Sequence, residues 1–209
     1  MIKNIEWLGH ASFRITSKDG KVIYIDPWKL KTKKKADLVL ITHDHYDHLS
    51  PEDIEKISKP GTEIVATPDG AAKLKGQVKT VKPGDQIKAA GFEIQVIPAY
   101  NTRADRQGFH PREKKWVGYI VTVDGVRIYH TGDTDLIPEM TNLKPDVAFI
   151  PCGGTYTMDW KEAVEAAQKI APKVLIPMHW GDIVGSKQDA QNISKLYMGE
   201  VKILEIASD

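Results

Sequence analysis

The string Thr42-His43-Asp44-His45-Tyr46-Asp47-His48 follows directly on the apolar run Leu38 to Ile41, and no other segment restricts the fold as strongly. Four aliphatic residues in a row read as a buried strand, so the loop that follows is held rigidly at its root. His43 and His45 alternate, which lets both imidazoles project to one side and reach one cation. Asp47 and His48 add two more donors. Five metal-capable side chains between positions 43 and 48 exceed what one tetrahedral ion uses, so the spacing implies two ions sharing the loop. The alternative is a solvated polar loop without an ion, an odd use of imidazoles and carboxylates at the end of an apolar strand.

Short β-rich runs alternate with helical patterns and no linker interrupts them, so we expect one α/β domain over residues 1–209. The Asp-Gly pair in Lys18-Asp19-Gly20 predicts a hairpin between Ser12–Thr16 and Lys21–Ile25, and Asp124-Gly125 a second between Gly118–Val123 and Val126–His130. Further strands are expected near Ile5–Leu8, Asp37–Thr42, Glu63–Ala66, Phe92–Ile97, Asp146–Ile150 and Val174–Pro177. Helices should start after Ser50, with Pro51 at the first helical position, and after Asp159, with Glu162 three residues on; Ser186 to Tyr197 is a third candidate. The two hairpins are each followed by an acid, Asp26 or Asp133, as a duplicated half would be, with two sheets related by a pseudo-twofold and helices on the outer faces.

Composition excludes several classes. With 29 Lys+Arg against 28 Asp+Glu the net charge is +1, so neither nucleic acid nor an anionic membrane is expected as the main partner. The longest apolar runs fall far short of the roughly 20 residues of a membrane helix. Met1 to Gly9 shows no basic head and apolar stretch, and the single Cys152 cannot form an internal disulfide, so a cytoplasmic location is expected. Cys152 reads as a buried, inert thiol. A homo-oligomer remains open.

The H-x-H-x-D-H string resembles the signature of the metallo-β-lactamase superfamily. His130-Thr131-Gly132-Asp133-Thr134 and Pro177-Met178-His179-Trp180-Gly181 resemble its later motifs. Trp7-Leu8-Gly9-His10, Asp26-Pro27, Pro98-Ala99-Tyr100-Asn101 and Gly153-Gly154-Thr155-Tyr156-Thr157-Met158 resemble a branch of bacterial and archaeal metal-dependent hydrolases related to ascorbate-6-phosphate lactonase. That resemblance covers nearly the whole chain and implies a four-layer αβ/βα sandwich of two mixed β-sheets with outer helices. It implies that one ion takes His43 and His45, the other Asp47, His48 and His179, with Asp133 between them. The family's remaining histidine is assigned to His110, although Asn101 stands nearer the expected place and Asn101 or water is the alternative. His10 and His130 are expected as donors to ligands or as pocket walls, Asp26 as a group orienting such a histidine, and Tyr156 as a substrate contact.

The chemistry that follows is hydrolysis. Two divalent cations about 4 Å apart lower the pKa of a shared bridging water and polarise an acceptor oxygen, with Asp47 holding and deprotonating the nucleophile. Histidines and carboxylates without a thiolate suit Zn²⁺ first, and Mn²⁺ or Fe²⁺ as alternatives. Neutral imidazole ligands predict falling occupancy below about pH 6. The basic stretch Asn101 to Trp116 suggests a lid, with Arg103 or Arg106 recognising an anionic small molecule; the alternative is a solvated loop. A small ester, lactone or phosphodiester is the expected substrate. The competing classes are a nuclease of the same superfamily and a non-catalytic metal-binding regulatory module.

Overall fold

The computed structural model describes residues 3–207, so the chain ends, Met1, Ile2, Ser208 and Asp209, lie outside the described residues. The first sheet begins with β1 (Ile5–Gly9), β2 (Ser12–Thr16) and β3 (Val22–Ile25), paired antiparallel in sequence order. From β3 onward it turns parallel, through β4 (Leu38–Leu40), β5 (Glu63–Ala66) and the edge strand β6 (Val78–Thr80). The second sheet repeats this plan. β7 (Gln86–Ala89), β8 (Phe92–Pro98), β9 (Val117–Val123) and β10 (Val126–His130) are antiparallel neighbours. Parallel pairing then carries the sheet to β11 (Val147–Pro151), β12 (Val174–Met178) and β13 (Glu200–Val201). In each half a hairpin therefore hands over to parallel crossovers, and the loop after its second strand carries Asp26 or Asp133.

Strand alternation explains the layers. Ile23, Ile25, Leu38 and Leu40 point into the core shared by both sheets, where Phe13 of β2 stacks on Phe149 of β11 with centroids 3.9 Å apart. Val22, Tyr24, Val39 and Ile41 point the other way and pack under Ile54 and Ile57 of helix α1 (Pro51–Ile57). Helices α3 (Trp160–Ile170) and α4 (Lys187–Leu196) cover the far face of the second sheet, completing the sandwich. Ser50 caps α1 by accepting from the Asp53 amide at 3.2 Å, and Asp159 with Glu162 closes a capping box on α3.

Some elements carry no readable signal. The β7–β8 hairpin turns on Ala90 and Gly91, at φ 49° and 92°; Ala in a left-handed position is not a turn marker that spacing reveals. Helix α2 (Pro68–Ala72) is five residues long with a central Gly70, too short for a period. Edge strands β6 and β13 leave most of their side chains to solvent and show no alternation. Among the described residues no helix is long and apolar enough to cross a membrane.

Candidate metal centre

Every functional side chain sits on a loop at a strand end. Strand β4 stops where Asp26, after β3, takes over its backbone: Asp26 Oδ1 accepts from the Thr42 amide at 2.8 Å and Oδ2 from the Thr42 hydroxyl at 2.6 Å. The same Oδ2 lies 2.7 Å from His48 Nδ1, which aims His48 Nε2 inward. Thr42 Oγ1 pairs with His43 Nδ1 at 2.9 Å and aims His43 in the same way. The chain then closes a tight turn, the His48 and Leu49 amides both donating to the His45 carbonyl. Asp26 thus orients a histidine, but that histidine is His48 rather than His10 or His130.

The loops gather two sets of donors. His43, His45 and His110 bring one ring nitrogen each within 4.8 Å of the others, and His10, Asp47, His48 and His179 form a second group of the same span. Asp133 lies between them. Its Oδ2 is 3.3 Å from His110 Nε2 and 3.0 Å from His179 Nε2, while Oδ1 is 3.3 Å from His48 Nε2. His43 Nε2 faces His45 Nδ1 at 3.1 Å. These separations fit ligands around a cation: two atoms each about 2.1 Å from a tetrahedral ion stand about 3.4 Å apart. The buried atoms His48 Nε2, His110 Nε2, His179 Nε2 and Asp133 Oδ1 have no hydrogen-bond partner and stand close together, as ligand atoms facing a cation would. The donor set therefore fits divalent metal binding, with Asp133 between the two groups.

His110 lies beside His43 and His45, and Asn101 braces the loop that carries it. The Asn101 amide donates to the His110 carbonyl at 2.8 Å, and its side-chain nitrogen ties the carbonyls of Arg106 and Tyr156, each at 2.8 Å. Asn101 thus holds the loop that delivers His110. His10 sits at the edge of the second set, with Nε2 3.0 Å from Asp47 Oδ2 and its ring 3.9 Å from that of His179. His130 is turned away: Nε2 meets the Ala11 carbonyl at 2.8 Å and Nδ1 accepts from the Gly132 amide.

Phe109 and His110 of the loop 101–116 line the cleft, but Arg103 and Arg106, expected to recognise an anionic substrate, are paired elsewhere. Arg106 is buried, with Nε 2.6 Å from Asp135 and an Nη 2.9 Å from Glu162; Arg103 pairs with Asp105 and Glu162. Neither lines the cleft above the metal-facing residues, because carboxylates already satisfy their fork geometry. The cleft, about 260 Å³, has the walls Tyr46, Phe109, Tyr156 and Ile183. Sequence reading singled out Tyr156 and missed the other three; the signal lay in adjacency, since Tyr46 separates His45 from Asp47 and Phe109 precedes His110.

Electrostatics favour neutral imidazoles at His43 and His45. Burial lowers His43 well below the usual histidine value, and burial with the neighbouring His110 lowers His45. Burial and His179 push His10 down to about 4. On the carboxylates burial acts the other way and is outweighed: His10 and His48 bring Asp47 to about 2, and His179 and His48 hold Asp133 well below the usual range. Burial also opposes charge on His48, but Asp133 and Asp26 overcome it and raise its pKa. Burial raises the Cys152 thiol far above its usual value, consistent with an inert side chain.

Three of the eleven described non-glycine residues at positive φ lie at this site. His10, Asp26 and His179 all have positive φ, 51°, 47° and 59°, and the His179 amide donates to the His10 carbonyl at 2.9 Å, tying the end of β12 to the end of β1.

Comparison with known proteins gives the family. A family model described as the beta-lactamase superfamily domain matches residues 4–179. A UPF0173 metal-dependent hydrolase of Methanopyrus kandleri is 34% identical over 208 residues, covering 91% of this chain and 90% of its own. A solved structure described as a metal-dependent hydrolase, from Parabacteroides distasonis, is similar with a TM-score of 0.87 at 39% identity, covering 97% of this chain and 93% of that one. A metallo hydrolase from the hyperthermophilic archaeon Ignicoccus hospitalis is similar at a TM-score of 0.77 and 29% identity, over 98% and 95% of the two chains. Matched residues, identity and shared architecture agree that the chain belongs to the beta-lactamase superfamily, among its UPF0173 metal-dependent hydrolases.

Proposed function

We propose that the protein is a two-cation hydrolase of a small-molecule ester, lactone or phosphodiester. The observation that carries this reading is Asp133, whose two oxygens reach His110 of one donor set and His48 and His179 of the other. His43, His45 and His110 would hold one cation, and Asp47, His48 and His179 the second; Zn²⁺ fits this nitrogen and oxygen set, with Mn²⁺ or Fe²⁺ as alternatives. When bound, such a pair supplies Lewis acidity at the acceptor oxygen and makes water a usable nucleophile at neutral pH.

The chain's own residues then do the positioning. Asp47 opens onto the cleft and is pinned at Oδ2 by His10 Nε2, 3.0 Å away, so its carboxylate is fixed before substrate arrives. Ionised at neutral pH, Asp47 accepts a hydrogen bond from the attacking water and takes up its proton. Tyr46, Phe109, Tyr156 and Ile183 form the walls of the cleft beside Asp47. Among the described residues no Lys or Arg lines the cleft, which gives the nuclease alternative no phosphate-tracking surface there.

Metal analysis after reconstitution with Zn²⁺, Mn²⁺ or Fe²⁺ separately, followed by a panel of lactones, aryl esters and bis-p-nitrophenyl phosphate, tests the proposal. We expect about two cations per chain and turnover of at least one substrate class. Two bound cations with no turnover across the panel would favour a non-catalytic module instead.

A further inference from the structure

The cleft has a second property that the hydrolase reading does not use. Beyond the metal-facing residues its walls are apolar, and Tyr46 and Phe109 leave 67% and 42% of their surface open. Large aromatic rings grouped at the mouth of a reactive site mark a surface meant to be covered.

These rings are held in place rather than loosely displayed. Tyr46 is fixed between His45 and Asp47 and meets Trp28 edge-on with centroids 6.0 Å apart. Phe109 precedes His110 and meets Tyr156 edge-on at 4.8 Å, while the Tyr156 carbonyl is tied by Asn101. The apolar wall and the metal end therefore stand on the same loops, so a group bound to the first lies beside the second.

Charge points the same way. Among the described residues lining this cleft none is Lys or Arg. Three cations of the neighbouring loops are paired with carboxylates: Lys73 with Asp44 at 2.6 Å, Arg106 with Asp135 and Glu162, and Arg103 with Asp105 and Glu162. A phosphate carried at the far end of a substrate would lose water there and gain no partner. The volume of about 260 Å³ lies below the roughly 300–1,000 Å³ of pockets for drug-sized ligands, which limits the occupant to a short chain or single ring.

We infer that the substrate is an ester or lactone bearing a short alkyl or aryl substituent on its acyl side, bound by Tyr46, Phe109, Tyr156 and Ile183. This deepens the hydrolase reading and rests on it for the reaction, whereas recognition of the apolar group can be measured without turnover. Calorimetric titration of the metal-loaded protein with acetate, butyrate, hexanoate and phenylacetate, the kind of carboxylate that hydrolysis releases, and with gluconate 6-phosphate makes the test. Affinity should rise up to about fourfold per added methylene, and hexanoate should bind more tightly than gluconate 6-phosphate. In Phe109→Ser and Tyr46→Ser, with metal content checked first, the dependence on chain length should flatten. A flat series in the unaltered protein, or preference for the phosphorylated acid, would overturn the inference whether or not lactones are hydrolysed. A steep series with no hydrolysis of any lactone or ester would remove the reaction and leave the apolar recognition standing.

Discussion

A single side chain, His10, shows how burial at this site couples to pH. Its imidazole is 2% exposed and its pKa falls to about 4, against about 6.5 in an unfolded chain. Above pH 6.5 the ring is neutral in both states and titration contributes nothing further. Between 6.5 and 4 the unfolded chain binds a proton that the folded one refuses, so stability is lost as pH falls through that window. His43, His45 and His130 are lowered as well and act with the same sign. The metal-free protein should therefore lose stability from pH 6.5 to 4, with His10 alone contributing about 3 kcal/mol. Urea denaturation at a series of pH values checks this; the His10→Gln variant should show a shallower slope by about one proton, and an unchanged slope would contradict it.

At the scale of elements, close packing of loops sets where the ligands stand. Gly153, after β11, approaches the loop after β12 so nearly that an added Cβ would lie 2.2 Å from the His179 carbonyl and 2.9 Å from Val184 Cγ2. Gly153→Ala must push His179 away from Asp133 or distort β11. We expect a loss of about 1–3 kcal/mol in stability from the forced shift, together with weaker cation binding, read by thermal melting and by competition with a chelator. Melting unchanged with full metal affinity would show that the two loops yield freely. The same packing explains which elements sequence could reveal. Helix α1 was readable from Ser50 and Pro51 because capping is local, and the β9–β10 turn from Asp124-Gly125, both at positive φ, because turn chemistry is local. Edge strand β6 owes its existence to pairing with β5, which no pattern within it records.

For the whole molecule, the donors come from both sheets. His43, His45, Asp47 and His48 follow β4 of the first, whereas His110, Asp133 and His179 follow β8, β10 and β12 of the second. Bound cations would bridge the sandwich and stabilise the folded chain by linkage, by about 2.7 kcal/mol at a hundredfold excess over Kd. Removal by EDTA should then lower Tm by about 5–10 °C for a chain of this size. Differential scanning calorimetry before and after chelation measures it, and an unchanged Tm would deny that the donors hold ions across the two sheets.

The amino-acid sequence by itself determined the local facts: a cluster of imidazoles and acids at the end of an apolar strand, two Asp-Gly hairpins, and capped helices, each written within a few consecutive residues. Tertiary structure alone decided the contacts: how near Asp133 stands to each donor group, how Asn101 braces the loop of His110, and that Arg103 and Arg106 pair with Asp105, Asp135 and Glu162. The physical reason is distance along the chain. Caps, turns and alternation are short-range preferences of the backbone, whereas a metal site and a cleft are made by the long-range packing of two sheets, which brings together loops that no local pattern relates.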